Sequence, residues 1–114
     1  MSDKIQKINL EDGYPSSEDA IRKMINGISS SKQKGYRAVL LIHGYGSTGQ
    51  GGTIRTAVHS KLKDKAMCGL VRAVCPGEEW YIKKRQMLEL CPGLKDYERE
   101  IILSGRGITV VLLK

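Results

Sequence analysis

The chain contains no phenylalanine, and aromatic residues fill only 5% of its 114 positions. Its core must therefore be built from Ile, Leu, Val and Met. Cysteine is scarce and odd in number: Cys68, Cys75 and Cys91, with no C-x-x-C pair. That count and spacing argue against a disulfide framework and a zinc site, and leave core or partly buried thiols in a reducing compartment. Folding is therefore expected to require no cofactor. No apolar run approaches the roughly 20 residues that span a bilayer. Residues Met1 to Lys7 hold neither an apolar stretch nor a small-residue cleavage site, so no secretory signal is expected and the cytoplasm is the expected location.

Acidic residues are nearly missing from one long stretch. Residues 20–76 carry ten Lys or Arg against a single acid, Asp64, whereas residues 77–106 carry six charges of each sign and cancel. The net charge of +7 thus belongs mostly to one part of the chain. A solvated face that only aids solubility usually mixes signs, so this bias points to a polyanionic partner. With 40% apolar and 27% charged residues the composition is that of a globular protein. The length suits one domain, expected over residues 5–114 behind a flexible stretch at 1–4, with a monomer as the default.

Residues 5–10 alternate enough, at Ile8 and Leu10, to predict a first strand. After the turn at Glu11 to Pro15, Ser16 is an N-cap with Asp19 three residues on. Ala20, Ile21, Met24, Ile25 and Ile28 share one helical face, and Gly35 suits the position just past that helix. Ala38-Val39-Leu40-Leu41-Ile42 is a continuous apolar run, the pattern of a strand covered on both faces. A second helix is predicted from Thr53, with Ile54, Ala57, Val58 and Leu62 inward. Arg55, His59 and Lys63, at i, i+4 and i+8, share a different side. Leu70 to Val74 predicts a third strand, Trp80, Met87, Leu88 and Cys91 a third helix, Leu94, Tyr97 and Ile101 a short fourth one, and Ile108 to Leu113 the last strand. This order predicts an α/β fold with two main helices on a mixed four-stranded sheet.

Between the second strand and the second helix lies His43-Gly44-Tyr45-Gly46-Ser47-Thr48-Gly49-Gln50-Gly51-Gly52, with five glycines. A glycine-rich turn feeding a helix N-terminus aims several backbone N–H groups at one point, where the helix dipole also favours an anion. Gly44 to Gly49 fits G-x-G-x-x-G, but a dinucleotide fold needs an acid about 20 residues on, and here the next strand ends in Cys75-Pro76. A P-loop needs Lys-Ser/Thr where Gln50-Gly51 stands. His43-Gly44-Tyr45-Gly46 is like a hydrolase oxyanion loop, yet no G-x-S-x-G supplies a nucleophile.

Ile42-His43-Gly44-Tyr45-Gly46, followed by Gly49, Gly52 and Ile54-Arg55, resembles the central motif of the Smr domain. Gly105 to Leu112 resembles that family's last strand, and Ile8-Asn9-Leu10 with Ser17 to Ala20 its first strand and helix. The resemblance implies an α/β sandwich similar to the C-terminal domain of translation initiation factor three, with a helical insert at residues 77–103. It also implies binding of DNA or RNA, with strand nicking as an activity of several members. The family's first strand typically ends in Leu-Asp-x-His-Gly, with the Asp and His implicated in activity. Here Asn9 and Glu11 stand near those places, so the chain reads as a divergent member.

The residues expected to hold nucleic acid are His43, Gly44, Tyr45, Gly46, Ser47, Thr48, Gly49, Gly51, Gly52, Arg55 and Lys63. His43 is the candidate general base or phosphate contact. Glu11 and Asp12 are the candidate acidic partners, on a turn that otherwise reads as solvated. A nuclease reading would call for a divalent metal, Mg²⁺ or Mn²⁺. Arg55 would reach a phosphate at the helix start, while His59 and Lys63 read as peripheral charge. Trp80 reads as core rather than as a base-stacking ring. Two other function classes fit the same residues: a site for a small phosphorylated ligand, and a protein-interaction module using residues 77–103.

Overall fold

Two strands carry the most apolar sequence, and they form the centre of the sheet. In the computed structural model, which describes residues 4–11, 16–44 and 50–114, β1 (Ile5–Asn9) runs parallel to β2 (Ala38–Ile42). β4 (Ile108–Leu113) lies antiparallel to β2 on one side and to β3 (Val71–Pro76) on the other, giving the order β1-β2-β4-β3. All six residues of β4 and the first four of β2 are buried. A strand can be this apolar only where both faces are covered. β3, at an edge, is mostly half-buried, with Arg72 exposed and Cys75 buried, and slips register between Val71 and Ala73.

One face is covered by α1 (Ser17–Gln33) and α2 (Gln50–Leu62). The Ser16 hydroxyl accepts from the Asp19 backbone N–H at 3.2 Å, which caps α1 as its sequence predicts. Ala20, Met24 and Ile28 of α1 and Ile54, Val58 and Leu62 of α2 meet Ile8, Val39, Leu41 and Val111 of the sheet. Gly35, two residues beyond α1, has φ of 85°, which a side chain would resist. α2 begins at Gln50 rather than at Thr53, so Gly51 and Gly52 lie in its first turn and not in the loop before it.

The opposite face is covered by α3 (Trp80–Leu90) and α4 (Glu98–Ser104), joined through a short helical turn at Pro92–Tyr97. Trp80, Met87, Cys91, Leu94 and Ile101 pack on Ala38, Leu40, Cys75, Val110 and Leu112. Residues 77–103 thus supply a third layer to the expected pair of helices and four-stranded mixed sheet. Each large apolar side chain in these two cores contributes roughly 1.5–3 kcal/mol of transfer free energy. Trp80 is core, at 1% exposure, and Tyr81 faces solvent. Cys75 and Cys91 are buried, Cys68 is exposed, and burial pushes the Cys75 thiol up to about 11. Among the described residues no helix is long and apolar enough to cross a membrane. Met1 to Asp3, within the N-terminal stretch expected to be flexible, lie outside the described residues.

Candidate functional site

The parallel pair β1 and β2 ends at one edge of the sheet, and their next residues meet there. The Leu10 N–H donates to the Ile42 carbonyl at 2.7 Å, extending the pairing past β1. The His43 and Gly44 N–H groups both donate to the Gly107 carbonyl, at 3.0 and 3.1 Å, which anchors the strand end beside β4. Gly44 has φ of 70°, and a Cβ there would fall on the Glu11 carboxylate. A side chain at Gly44 is therefore opposed by backbone conformation, whereas the exposed Glu11 carboxylate can swing aside. The Glu11 N–H is itself held by the Asn9 side-chain oxygen at 2.9 Å. Glu11, His43 and Gly44 are thus brought together, and Asp12, Tyr45, Gly46, Ser47, Thr48 and Gly49 lie outside the described residues.

His43 is completely buried. Its Nδ1 lies 2.7 Å from the Gly44 carbonyl, and its Nε2 lies 2.8 Å from the Thr109 hydroxyl. A carbonyl can only accept, so Nδ1 carries the proton and Nε2 accepts from Thr109. The Thr109 oxygen, its own proton committed, then accepts from His59 Nε2–H at 2.9 Å. One hydroxyl therefore joins two imidazoles, whose rings stand edge to face with centroids 5.8 Å apart. Burial holds the His43 pKa below the ordinary histidine value, against the bond to Gly44 and with a smaller contribution from Arg55. The His59 pKa is drawn down to about 4, by burial first and then by the nearby Arg55, His43 and Lys63 charges. Both rings are neutral near pH 7.

Arg55 and His59 of α2 and Lys63, one residue past its end, line a cleft of about 330 Å³. Its other walls are Leu62, Val74, Pro76, Glu79 and Lys83, from α2, β3, the turn after β3 and α3. Arg55 is ion-paired with Glu78, whose second oxygen lies 3.3 Å from Arg106. The guanidinium is thereby turned toward the segment before α3, and its Nε is buried with no partner among the described residues. Lys63 is exposed. The first turn of α2, Gln50 to Thr53, contains no acidic residue to neutralise the positive end of the helix dipole. Among the described residues no three His, Cys, Asp or Glu side chains converge to hold a metal ion.

Sequence reasoning places Arg55, His59 and Lys63 on one side of the second helix but does not show Thr109 as the link between His43 and His59. The available signal was Thr109 as the sole polar residue of a strand that is otherwise apolar, because a buried hydroxyl needs a partner. No curated protein matches the sequence. The Smr domain of Thermus thermophilus MutS2 has a similar structure, with a TM-score of 0.58 over 96% of this chain and 98% of that one, at 20% identity. That likeness shows a shared fold. The sequence pattern of the Smr domain family matches residues 13–81, more than half of the chain and a span that includes His43, Gly44 and all of α2. The protein therefore belongs to the Smr domain family.

Proposed function

We propose that this Smr domain binds nucleic acid, DNA or RNA, through the surface formed by the His43–Gly52 segment, the start of α2 and its basic stripe. The observation that carries this reading is the cleft stripe of α2, where Arg55 and Lys63 flank a neutral His59 and Lys83 faces them from α3. It lies in the stretch where ten cations meet one acid, so the local field favours phosphate. The positive end of α2, with no acidic residue in its first turn, adds backbone N–H groups suited to the same ligand.

The test is binding of labelled single- and double-stranded DNA and RNA across a salt series, with and without Mg²⁺ or Mn²⁺. A polymer partner gives affinity that falls steeply with salt through counterion release. Affinity for a small phosphorylated compound with a shallow salt slope, and none for the polymers, would replace this reading with a metabolite site.

A further inference from the structure

We infer that the cleft between α2, β3 and α3 is a pocket for one unstacked nucleotide of a single strand, with His59 as the hydrogen-bond acceptor on its wall. The inference rests on the nucleic-acid reading above and adds to it the form of the ligand. At about 330 Å³ the cleft lies near the small end of ligand pockets, room for one group of nucleotide size and no more. Its lining divides in two. Leu62, Val74 and Pro76 offer an apolar side for a base, while Lys63 places an ammonium group where the attached phosphate would lie, with Lys83, paired with Glu79 at 3.2 Å, beside it. A duplex keeps its bases stacked inside and presents phosphates along a convex surface, so it can touch the lysines without entering. A strand with a free base can do both.

The wall residue decides what else the ligand must carry. His59 spends its Nε2 proton on Thr109, which is itself fixed by His43 and, through His43, by the Gly44 carbonyl. The Thr109 end of this chain is fully buried, so the tautomer of the partly exposed ring is dictated from inside the protein. Nδ1 is left as a lone-pair acceptor, with no partner among the described residues. Surrounding cations, Arg55 and Lys63, oppose protonation of the ring, and Glu79 favours it more weakly. A neutral acceptor among cations selects a ligand that is anionic at one point and a hydrogen-bond donor at another, as a nucleotide is through its phosphate and its base N–H or sugar hydroxyl. His43 is completely buried with both nitrogens engaged, so it acts through His59 as a positioning residue.

The experiment measures binding of a fluorescein-labelled single strand of about 12 nucleotides, within the range of single-strand site sizes, and of a duplex of equal phosphate count. In the wild-type protein the single strand should bind at least about tenfold more tightly than the duplex at matched salt. His59→Ala should remove most of that difference while leaving duplex affinity within about twofold, and Thr109→Ser, which keeps the hydroxyl, should retain it. Ring ¹⁵N spectra of the wild-type protein provide a readout independent of any folding defect. They should place the His59 proton on Nε2, and its Nδ1 signal should move on addition of the strand and not of the duplex. Equal binding of strand and duplex, equal losses for both in His59→Ala, or a His59 proton on Nδ1 would overturn the pocket while leaving a general polyanion surface intact. Binding of neither polymer would overturn the nucleic-acid reading and this one with it. Uridine 5′-monophosphate is the third arm: if it displaces the strand as tightly as the strand binds, the cleft serves a free nucleotide and the strand assignment fails.

Discussion

Arg55 on α2 is held by Glu78, in the turn between β3 and α3, across a gap of 23 residues in sequence. Glu78 also receives Arg106 at 3.3 Å, so one carboxylate gathers two cations, one from α2 and one from the turn before β4. An arginine committed in this way has less charge to offer a phosphate than its place on α2 suggests. Arg55→Ala should therefore act first on stability, costing about 1–3 kcal/mol because it leaves the partly buried Glu78 with only Arg106. Urea melts measure that cost. Salt titrations of nucleic-acid binding measure the other half of the argument. Lys63→Ala, at an exposed charge with no ion pair among the described residues, should lower the salt slope by about one unit, and Arg55→Ala by clearly less. A larger slope change at Arg55 would mean that the ion pair opens to admit the ligand.

Thr109 holds together two rings, one from the residue just after β2 and one from α2. Thr109→Val preserves shape and burial but removes both hydrogen bonds, leaving His43 Nε2 without its donor in a fully buried position. The expected cost is about 1–3 kcal/mol, the penalty for an unsatisfied buried polar group. Thr109→Ser should recover most of it. A Val variant as stable as the wild type would show that the hydroxyl is not required to satisfy the two imidazoles.

The same pair makes stability depend on pH in a definite direction. His59 is drawn from an ordinary value of 6.5 to about 4 in the folded protein, and His43 is lowered as well. Between those values the unfolded chain takes up protons that the folded one refuses. Stability is then at its full value above about pH 6.5 and falls as the pH drops toward 4. For His59 alone we expect a loss of roughly 1–2 kcal/mol, allowing for solvent screening at a ring that is not fully buried. Thermal melts of wild type and His59→Gln across that window provide the check. The variant should show a shallower dependence, the remainder coming from His43 and the carboxylates.

Periodicity made much of this legible. The run Ala38 to Ile42 announces a doubly covered strand, and Ser16, Asp19 and Gly35 mark both ends of α1 because capping is local chemistry. Arg55, His59 and Lys63 could be placed on one side of α2 for the same reason, since the helix repeat alone sets it. Links between distant positions were not legible. Thr109 lies 66 residues from His43 and 50 from His59, and no pattern in a strand tells which side chains its single hydroxyl will meet. The start of α2 is not legible because Gly51 and Gly52 are poor helix formers, yet the helix begins at Gln50. Residues 77–103 are an insert by the family resemblance alone, and their apolar spacing shows a helix without showing which surface it covers.

That last point leads to a prediction about the segment itself. Balanced charge suggests that residues 78–103 could be replaced by a short linker without loss of binding. The structure opposes this, because Trp80, Met87, Cys91, Leu94 and Ile101 cover one whole face of β2 and β4. Removing them would expose Ala38, Leu40, Val110 and Leu112 to water, and the linker variant should fail to fold. Single substitutions give a graded version of the same test. Trp80→Ala should cost about 3–5 kcal/mol, as expected for a large side chain deleted from a packed core. Trp80→Phe keeps most of the volume but loses the indole N–H donated to Glu98 at 3.0 Å, a carboxylate that Lys84 also holds at 2.8 Å. Its cost should be nearer 1 kcal/mol for the bond plus a smaller packing loss. Circular dichroism of the linker variant and urea melts of the two Trp80 variants decide the matter. A folded linker variant with native stability would mean that the first helical layer and the sheet suffice, and that α3 and α4 only decorate them.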